Sequence, residues 1–348
     1  MEVPFFKHTS GHLGVILFFV LSGFLITFLL LKEKSTFQTI AIRKFYFRRA
    51  LRIWPIYYLA LALLIFIIPN IVELEYFAKP NLSQWQNLLP TILIYLFMAP
   101  NFVAFGIPGI GGGFHLGSIG TEEQFYIIWP VIILWFRNIL LPLFFILIII
   151  PLMPHACDYL SSNFVSSTSN SYTFLKELSK FFTFFKISCM AIGGFFAWML
   201  FTKNLICTNL IYSLPIQLVA LIGGFGGWVL GIHLPEFNDE IYGVLFGVVI
   251  LNTASNPKSL ISWNYRISNY LGKISYGIYV YHWMILYLVL NWLVPLNLDL
   301  IPFNTIVYLL TFGLTIGISH ISYFYFELWF LKFKDQFTKV KSYDTYGK

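Results

Sequence analysis

Long apolar runs separated by short polar stretches set the pattern of this chain. Residues 13–31 carry no charge at all, and the run is long enough to cross a hydrocarbon core about 30 Å thick. It is also too long for a cleavable leader and has no small-residue cleavage site. Gly14, Ser22 and Gly23 within it are small enough to admit a close neighbouring helix. Further runs predict spans near 57–70, 122–135, 139–151, 185–202, 210–230, 242–252, 274–293 and 305–327. Trp54, Tyr57 and Tyr58 stand where interfacial aromatics belong.

The polar positions give the orientation. Segment 32–52 holds Lys32, Lys34, Arg43, Lys44, Arg48, Arg49 and Arg52 against Glu33, a basic excess that marks the cytoplasmic side, so the first helix runs inward. Glu73, Glu75 and Lys79 fall in an outer loop, and Glu236, Asp239 and Glu240 mark the outer side again. Lys258, Arg266 and Lys273, then Lys332, Lys334, Lys339 and Lys341, mark the inner one. Counting back from a cytoplasmic C-terminus puts the loop before Glu122 outside. The run 88–105, with Pro90 and Pro100 and the glycine-rich 106–113 behind it, must then enter and leave by one face. A re-entrant or broken segment is expected, which membranes tolerate only where the backbone is buried in protein or lines a cavity. The Ser-, Thr- and Asn-rich stretch 158–179 reads as the largest external loop, and Asn81 heads a glycosylation triplet of the kind that arises by chance.

The expected fold is all-α, a polytopic transmembrane helix bundle of about nine spans plus the re-entrant or broken segment. It forms one membrane-embedded domain over 1–348, with the bundle in 1–331 and a basic cytoplasmic tail in 332–348. Composition agrees: the 348 residues are 58% hydrophobic, 20% aromatic and only 11% charged, against roughly 45–50% apolar in soluble domains. The net charge of +7 comes without a basic groove or reading motif, so the expected partner is membrane lipid and no nucleic acid. Cys157, Cys189 and Cys207 have no metal-ligand spacing and read as packing residues, with no metal site.

Against that background Glu122 and Glu123, adjacent at the mouth of an apolar run, need a reason, because a carboxylate in hydrocarbon costs several kcal/mol or more. A helix start capped by Thr121 would favour one of them. Neighbours on a helix point about 100° apart, so at least one should face the bundle interior. Arg49 and Arg52, three apart on a helix face, read either as an orientation signal with headgroup binding or as a guanidinium pair for donor phosphates. Along 271–286, Ser275, Tyr276, Tyr279 and His282 share one helix. Tyr279 and Ser275 fall on the face of His282, an intramembrane histidine that is either a bonded interior group or a proton-transfer residue.

Taken in order, these stretches resemble the acyltransferase 3 family of integral-membrane O-acyltransferases. The resemblance rests on Gly14-Val15 with the run from Phe18 to Ile26, on Arg49-Ala-Leu-Arg52-Ile-Trp-Pro55, and on Glu122-Glu123-Gln124-Phe125-Tyr126 with Trp129-Pro130. It continues in Leu271-Gly272 with Ser275-Tyr276 and His282-Trp283, and in Ser322-Tyr323 with Glu327. It implies transfer of an acyl group, commonly acetyl, from acyl-CoA as co-substrate with no bound cofactor, to a hydroxyl of a cell-surface glycan or lipid-linked sugar. The setting it implies is a bacterial inner membrane. Arg49 and Arg52 match the family's donor-side arginines, and Glu122 and Glu123 its acidic motif. Tyr126, Ser275 and Tyr279 are the acceptor-site candidates. The family's acting histidine sits one helix earlier, after an Arg, whereas here no Arg precedes Arg43 and the hydrophilic position after Val15 is Ile16. His8 and His12 precede the first run and do not match it, so a truncated start is expected, with His12 and His282 the substitute bases beside Glu122 and Glu123. A transporter or flippase of a lipid-linked substrate, and a catalytically inactive homologue, are the rival readings.

Overall fold

The computed structural model describes residues 10–71, 88–203, 205–234, 236–262 and 264–334. His8, the loop of Glu73, Glu75 and Lys79, the Asn81 triplet, the side chain of Cys207 and the tail from 335 onward lie outside the described residues. Among the described residues there is no strand. The helices are α1 (Ser10–Phe37), α2 (Ile42–Ala62, carried on through a π turn to Ile71), α3 (Leu88–Leu96), α4 (Leu116–Trp135), α5 (Leu140–Phe164), α6 (Asn170–Phe184), α7 (Ile187–Thr202) and α8 (Leu205–Ile211). They continue with α9 (Leu214–Leu221, extended through a π turn to Val229), α10 (Asn238–Ser255), α11 (Arg266–Leu293) and α12 (Leu300–Ser322, extended through a π turn at Tyr323–Glu327 to Lys334). Among the described residues, six stretches are long and apolar enough to cross a membrane: Gly11–Phe37, Ile42–Ile71, Leu140–Phe164, Asn170–Thr202, Arg266–Leu296 and Leu300–Phe333. The protein is a multi-pass helical membrane bundle.

The described helices fall into two compact units. The first contains α1, α4 from Thr121 onward, and α5 to α10. Its centre is the crossing of α1 and α7, where the backbones nearly touch. A Cβ on Gly23 would stand 1.9 Å from the Met190 carbonyl oxygen, and one on Gly193 would stand 2.0 Å from that of Val20. Without a hydrophobic effect between helices in lipid, such close backbone packing is what holds a pair together. Three helices of this unit begin at one end, tied by Asp239: His12 Nε2 of α1 and Lys186 Nζ, just before α7, each lie 2.8 Å from its carboxylate. α4 runs alongside α1 in the same sense, its Trp129 Nε1 donating to Thr27 Oγ1 at 2.7 Å. At the far end Lys34 Nζ donates to the carbonyls of Ile133 and Phe136 at 2.7 and 3.0 Å, closing the C-terminal carbonyls that a helix leaves open.

The second unit contains α2 onward from Arg43, α3, the start of α4 to Gly120, α11 and α12. The segment expected to be broken is broken: α3 stops at Leu96, Met98 adopts φ 54°, and a 3-10 helix covers Pro100–Phe105 before Gly106 at φ 77°. The carbonyls that this break releases need donors in an apolar setting. Tyr57 Oη donates to Tyr95 O at 2.7 Å and Tyr58 Oη to Leu96 O at 2.8 Å.

Three expectations change. The stretch 158–179 is not an open loop but mostly helix, the end of α5 and the start of α6. Its polar residues face one another across that hairpin, with Lys176 Nζ and Ser179 Oγ donating to Asp158 at 2.8 and 3.0 Å. Most of 32–52 is helical as well, since α1 ends at Phe37 and α2 begins at Ile42, so the basic residues ride on helix ends. Thr121 is no cap, because α4 begins a turn earlier at Leu116.

Candidate active site

Helix α4 carries the densest polar content in an apolar setting. Glu122 and Tyr126 lie four residues apart, on one helix face, while His115, just ahead of the helix, and Ser118 belong to the second unit. In the first unit Glu122 is 2% exposed. Ser22 Oγ donates to its Oε1 at 2.8 Å, and the Tyr126 hydroxyl, one turn on, donates to the same oxygen. Two hydroxyl donors on one oxygen offset part of the desolvation of a buried carboxylate. Ser22, which reads from sequence as a small packing residue, is thus a polar partner. Glu123 is buried too, at 8% exposure, so both acids lie inside.

In the second unit His115, 8% exposed, stands immediately before α4 and packs on α11. Its Nε2 lies 3.0 Å from the Val280 carbonyl, which can only accept, so Nε2 carries the proton. The ring centroid is 5.4 Å from that of His282, 6.0 Å from Tyr279 and 6.5 Å from Trp283. The Tyr279 hydroxyl donates to the His115 carbonyl at 2.8 Å and is also bonded to Ser118 Oγ. His282 Nδ1 is 2.5 Å from the Tyr279 carbonyl, leaving its Nε2 as the nitrogen with a lone pair.

The other predicted residues lie elsewhere. Arg49 stacks its guanidinium 5.6 Å from the Phe45 ring centroid, and Arg52 is exposed and within electrostatic reach of Glu327. Glu327 closes the π turn of α12, accepting from Ser322 Oγ at 3.2 Å. Ser275 does not join the histidine cluster: it is exposed and donates to the carbonyl of Gly272 on its own helix at 2.9 Å. Residue 275 precedes 282 by two turns, but α11 is exposed there rather than covered. His12 is bound to Asp239 at the helix-start cluster, about 15 Å along α1 from Ser22 at 1.5 Å per residue.

The family model for an acyltransferase domain matches residues 1–321. The chain belongs to the acyltransferase 3 family. Among curated relatives, the peptidoglycan O-acetyltransferase OatA of Listeria monocytogenes is 26% identical over 306 residues, covering 80% of this chain and 45% of the relative. The O-acetyltransferase OatA of Staphylococcus aureus strain NCTC 8325 is 27% identical over 347 residues, covering 92% of this chain and 52% of the relative. The chain therefore spans about half the length of the curated relatives it matches. No solved structure matches it.

Within this acyltransferase domain, the predicted Tyr279 and His282 come together, and Tyr126 joins Glu122. Sequence reading missed His115 and Ser118. Their positions seven and four residues before Glu122 were visible, but the glycine-rich run ahead of them hid the true start of α4.

Proposed function

We propose that this chain forms the membrane part of an O-acyltransferase that moves an acyl group, in the first instance acetyl, from acyl-CoA at the cytoplasmic face to a hydroxyl of a cell-surface glycan or lipid-linked sugar. The membrane is the bacterial inner membrane, with the C-terminus cytoplasmic. The observation that carries this reading is the family match over residues 1–321, with relatives named O-acetyltransferases aligned over 80% and 92% of the chain. The buried Glu122, in the family's acidic motif and bonded to two hydroxyls, supports it as a polar anchor for an acceptor sugar. Arg49 and Arg52 supply fixed positive charge for the donor's phosphates, whose geometry guanidinium forks match.

Chemically, a base takes the proton of the acceptor hydroxyl as its oxygen attacks the thioester carbonyl. Fixed donors meet the oxyanion, and the thiolate leaves. The test is transfer of labelled acyl groups from acyl-CoA to peptidoglycan fragments by the chain in proteoliposomes. Arg49→Ala and Arg52→Ala are expected to raise the KM for acyl-CoA at least tenfold while leaving the protein folded. Activity unchanged in both would remove the donor-site assignment, and labelled glycan absent from the unaltered chain would overturn the function.

A further inference from the structure

The helix-start end of the first unit holds a histidine that is fixed on one side and open on the other. His12 Nε2 lies 2.8 Å from Asp239 Oδ1. A carboxylate oxygen only accepts, so Nε2 holds the proton, and in the neutral ring Nδ1 carries the lone pair. Among the described residues nothing bonds to Nδ1, and the His12 side chain is 48% exposed. The carboxylate behind it is the opposite, 7% exposed and held at both oxygens: Asn238 Nδ2 donates to Oδ1 at 3.1 Å, and Lys186 Nζ lies 2.8 Å from Oδ2. As a mere tie between helices the ring contributes little. α1 and α7 already meet at Gly23 and Gly193, Lys186 already links α7 to α10, and a half-wet ion pair is weak. What Asp239 fixes is the tautomer and direction of the imidazole. Both partners ride on helices packed at backbone distance, the rigid support that a catalytic geometry needs. A buried carboxylate orienting an imidazole whose other nitrogen is open is the base half of an acyl-transfer site.

We infer that His12 is the general base of this chain, its Nδ1 taking the hydroxyl proton of the glycan acceptor, with Asp239 as the positioning residue behind it. The proposal rests on the acyltransferase reading and adds to it the pair that handles the proton. The acceptor O–H bond breaks toward Nδ1 while its oxygen forms the new bond to the thioester carbonyl carbon. The Asp239 carboxylate steadies the imidazolium that results. The carbon–sulfur bond then breaks, and the proton passes from the imidazolium to the departing thiolate. Ester and thiol are the products, and no oxidant or further reactant is needed. With the basic end of α1 in the cytoplasm, His12 stands at the outer end of its helix, on the side of the glycan. Transfer then takes place at that end, so the acyl end of the donor crosses the bundle and the sugar does not.

His12→Gln is the informative variant, since its amide can still donate to Asp239 from the place of Nε2 but offers no basic nitrogen. With the full chain in proteoliposomes, labelled acyl-CoA and peptidoglycan fragments, kcat is expected to fall on the order of 100-fold or more, with the KM for acyl-CoA and the melting temperature unchanged. Added imidazole is expected to return at least about tenfold of the activity that His12→Ala loses, which a tie between helices would not allow. Asp239→Asn should lower kcat alone; a raised KM in its place would mean that Asp239 shapes the site and does not orient the base. An active unaltered chain whose His12→Gln form keeps kcat within about threefold would overturn the proposal and leave the function standing, as would a loss that follows a lowered melting temperature and does not answer to imidazole. An inactive unaltered chain would overturn both. A second measurement needs no variant. Diethyl pyrocarbonate acylates open imidazole nitrogens, and its reaction at His12, read by mass spectrometry, is expected to slow severalfold with peptidoglycan fragments present. The exposed His320 of the second unit is the control and should react as before. An unchanged rate at His12 with saturating acceptor would sink the idea even if His12→Gln did not fold.

Discussion

A carboxylate buried among apolar helices is held by its donors, and Glu122 shows how finely that depends on single atoms. Ser22 Oγ and the Tyr126 hydroxyl both donate to Oε1, from two different helices. Hydrogen bonds to a charged group contribute roughly 1.5–3 kcal/mol each, so Tyr126→Phe or Ser22→Ala alone should lower stability by about that much. The double variant should lose less than the sum if the carboxyl becomes neutral once one donor is gone, and more if it stays charged. Thermal melts in detergent of the three variants decide between them. A cost under about 0.5 kcal/mol for both single variants, the range of ordinary surface changes, would mean that neither bond matters. Much of this residue-level picture was open to reading: two acids in so apolar a chain demanded burial with partners, and Glu122 and Glu123 are both inside. The identity of the partners was not, because Ser22 lies 100 residues away along the chain and its small side chain reads equally well as packing. His115 and His282 are hidden from one another for the same reason, and only the steps from His115 to Ser118 and Glu122 were local.

At the scale of helices, the crossing of α1 and α7 makes a sharper forecast than any propensity. Gly→Ala in a helix normally gains up to about 1 kcal/mol, and at Gly317, exposed with nothing within 4 Å of a new Cβ, that gain should appear. At Gly193 the same change drives a methyl group to 2.0 Å from the Val20 carbonyl oxygen. The helices must then separate, and overpacking of this kind costs about 1–3 kcal/mol or more. Opposite signs of the melting shift for Gly193→Ala and Gly317→Ala are the expected result; two shifts of equal sign would mean that the close approach is not what holds α1 to α7. Gly23 was legible as a contact point from its small size within an apolar run. The α5–α6 hairpin was not, because Ser, Thr and Asn between apolar runs usually mean a solvated loop. Here Asp158, Lys176 and Ser179 satisfy each other across two helices, and sequence order does not display a polar seam of that kind.

For the molecule as a membrane object, the first unit can be checked on its own terms. Its α1, α7 and α10 all begin at the Asp239 cluster, and α4 runs beside α1 to end at Lys34. Charge alone had assigned these helices the same direction, since acids at Glu236, Asp239 and Glu240 precede one run and Lys258 follows it. Direction was readable because a bilayer sorts basic loops to one side, whereas the ends of the spans were not. With no water to receive freed backbone groups, a helix continues past residues that would stop it in solution, as α5 does through Pro151 and Pro154. If α10 crosses the bilayer inward, its two flanks meet different solvents. Glu236 and Lys258 are both exposed, and Cys157 and Cys189 are buried, so replacing Cys207 by Ser leaves a quiet background for single added cysteines. A membrane-impermeant maleimide on intact cells should label Glu236→Cys and reach Lys258→Cys only after the membrane is opened. The reverse pattern would invert the orientation and put the Lys34 end, with its basic neighbours, outside. Labelling of both in intact cells would mean that α10 does not cross, and the shared start of the three helices would then be a packing feature rather than the outer face of a membrane domain.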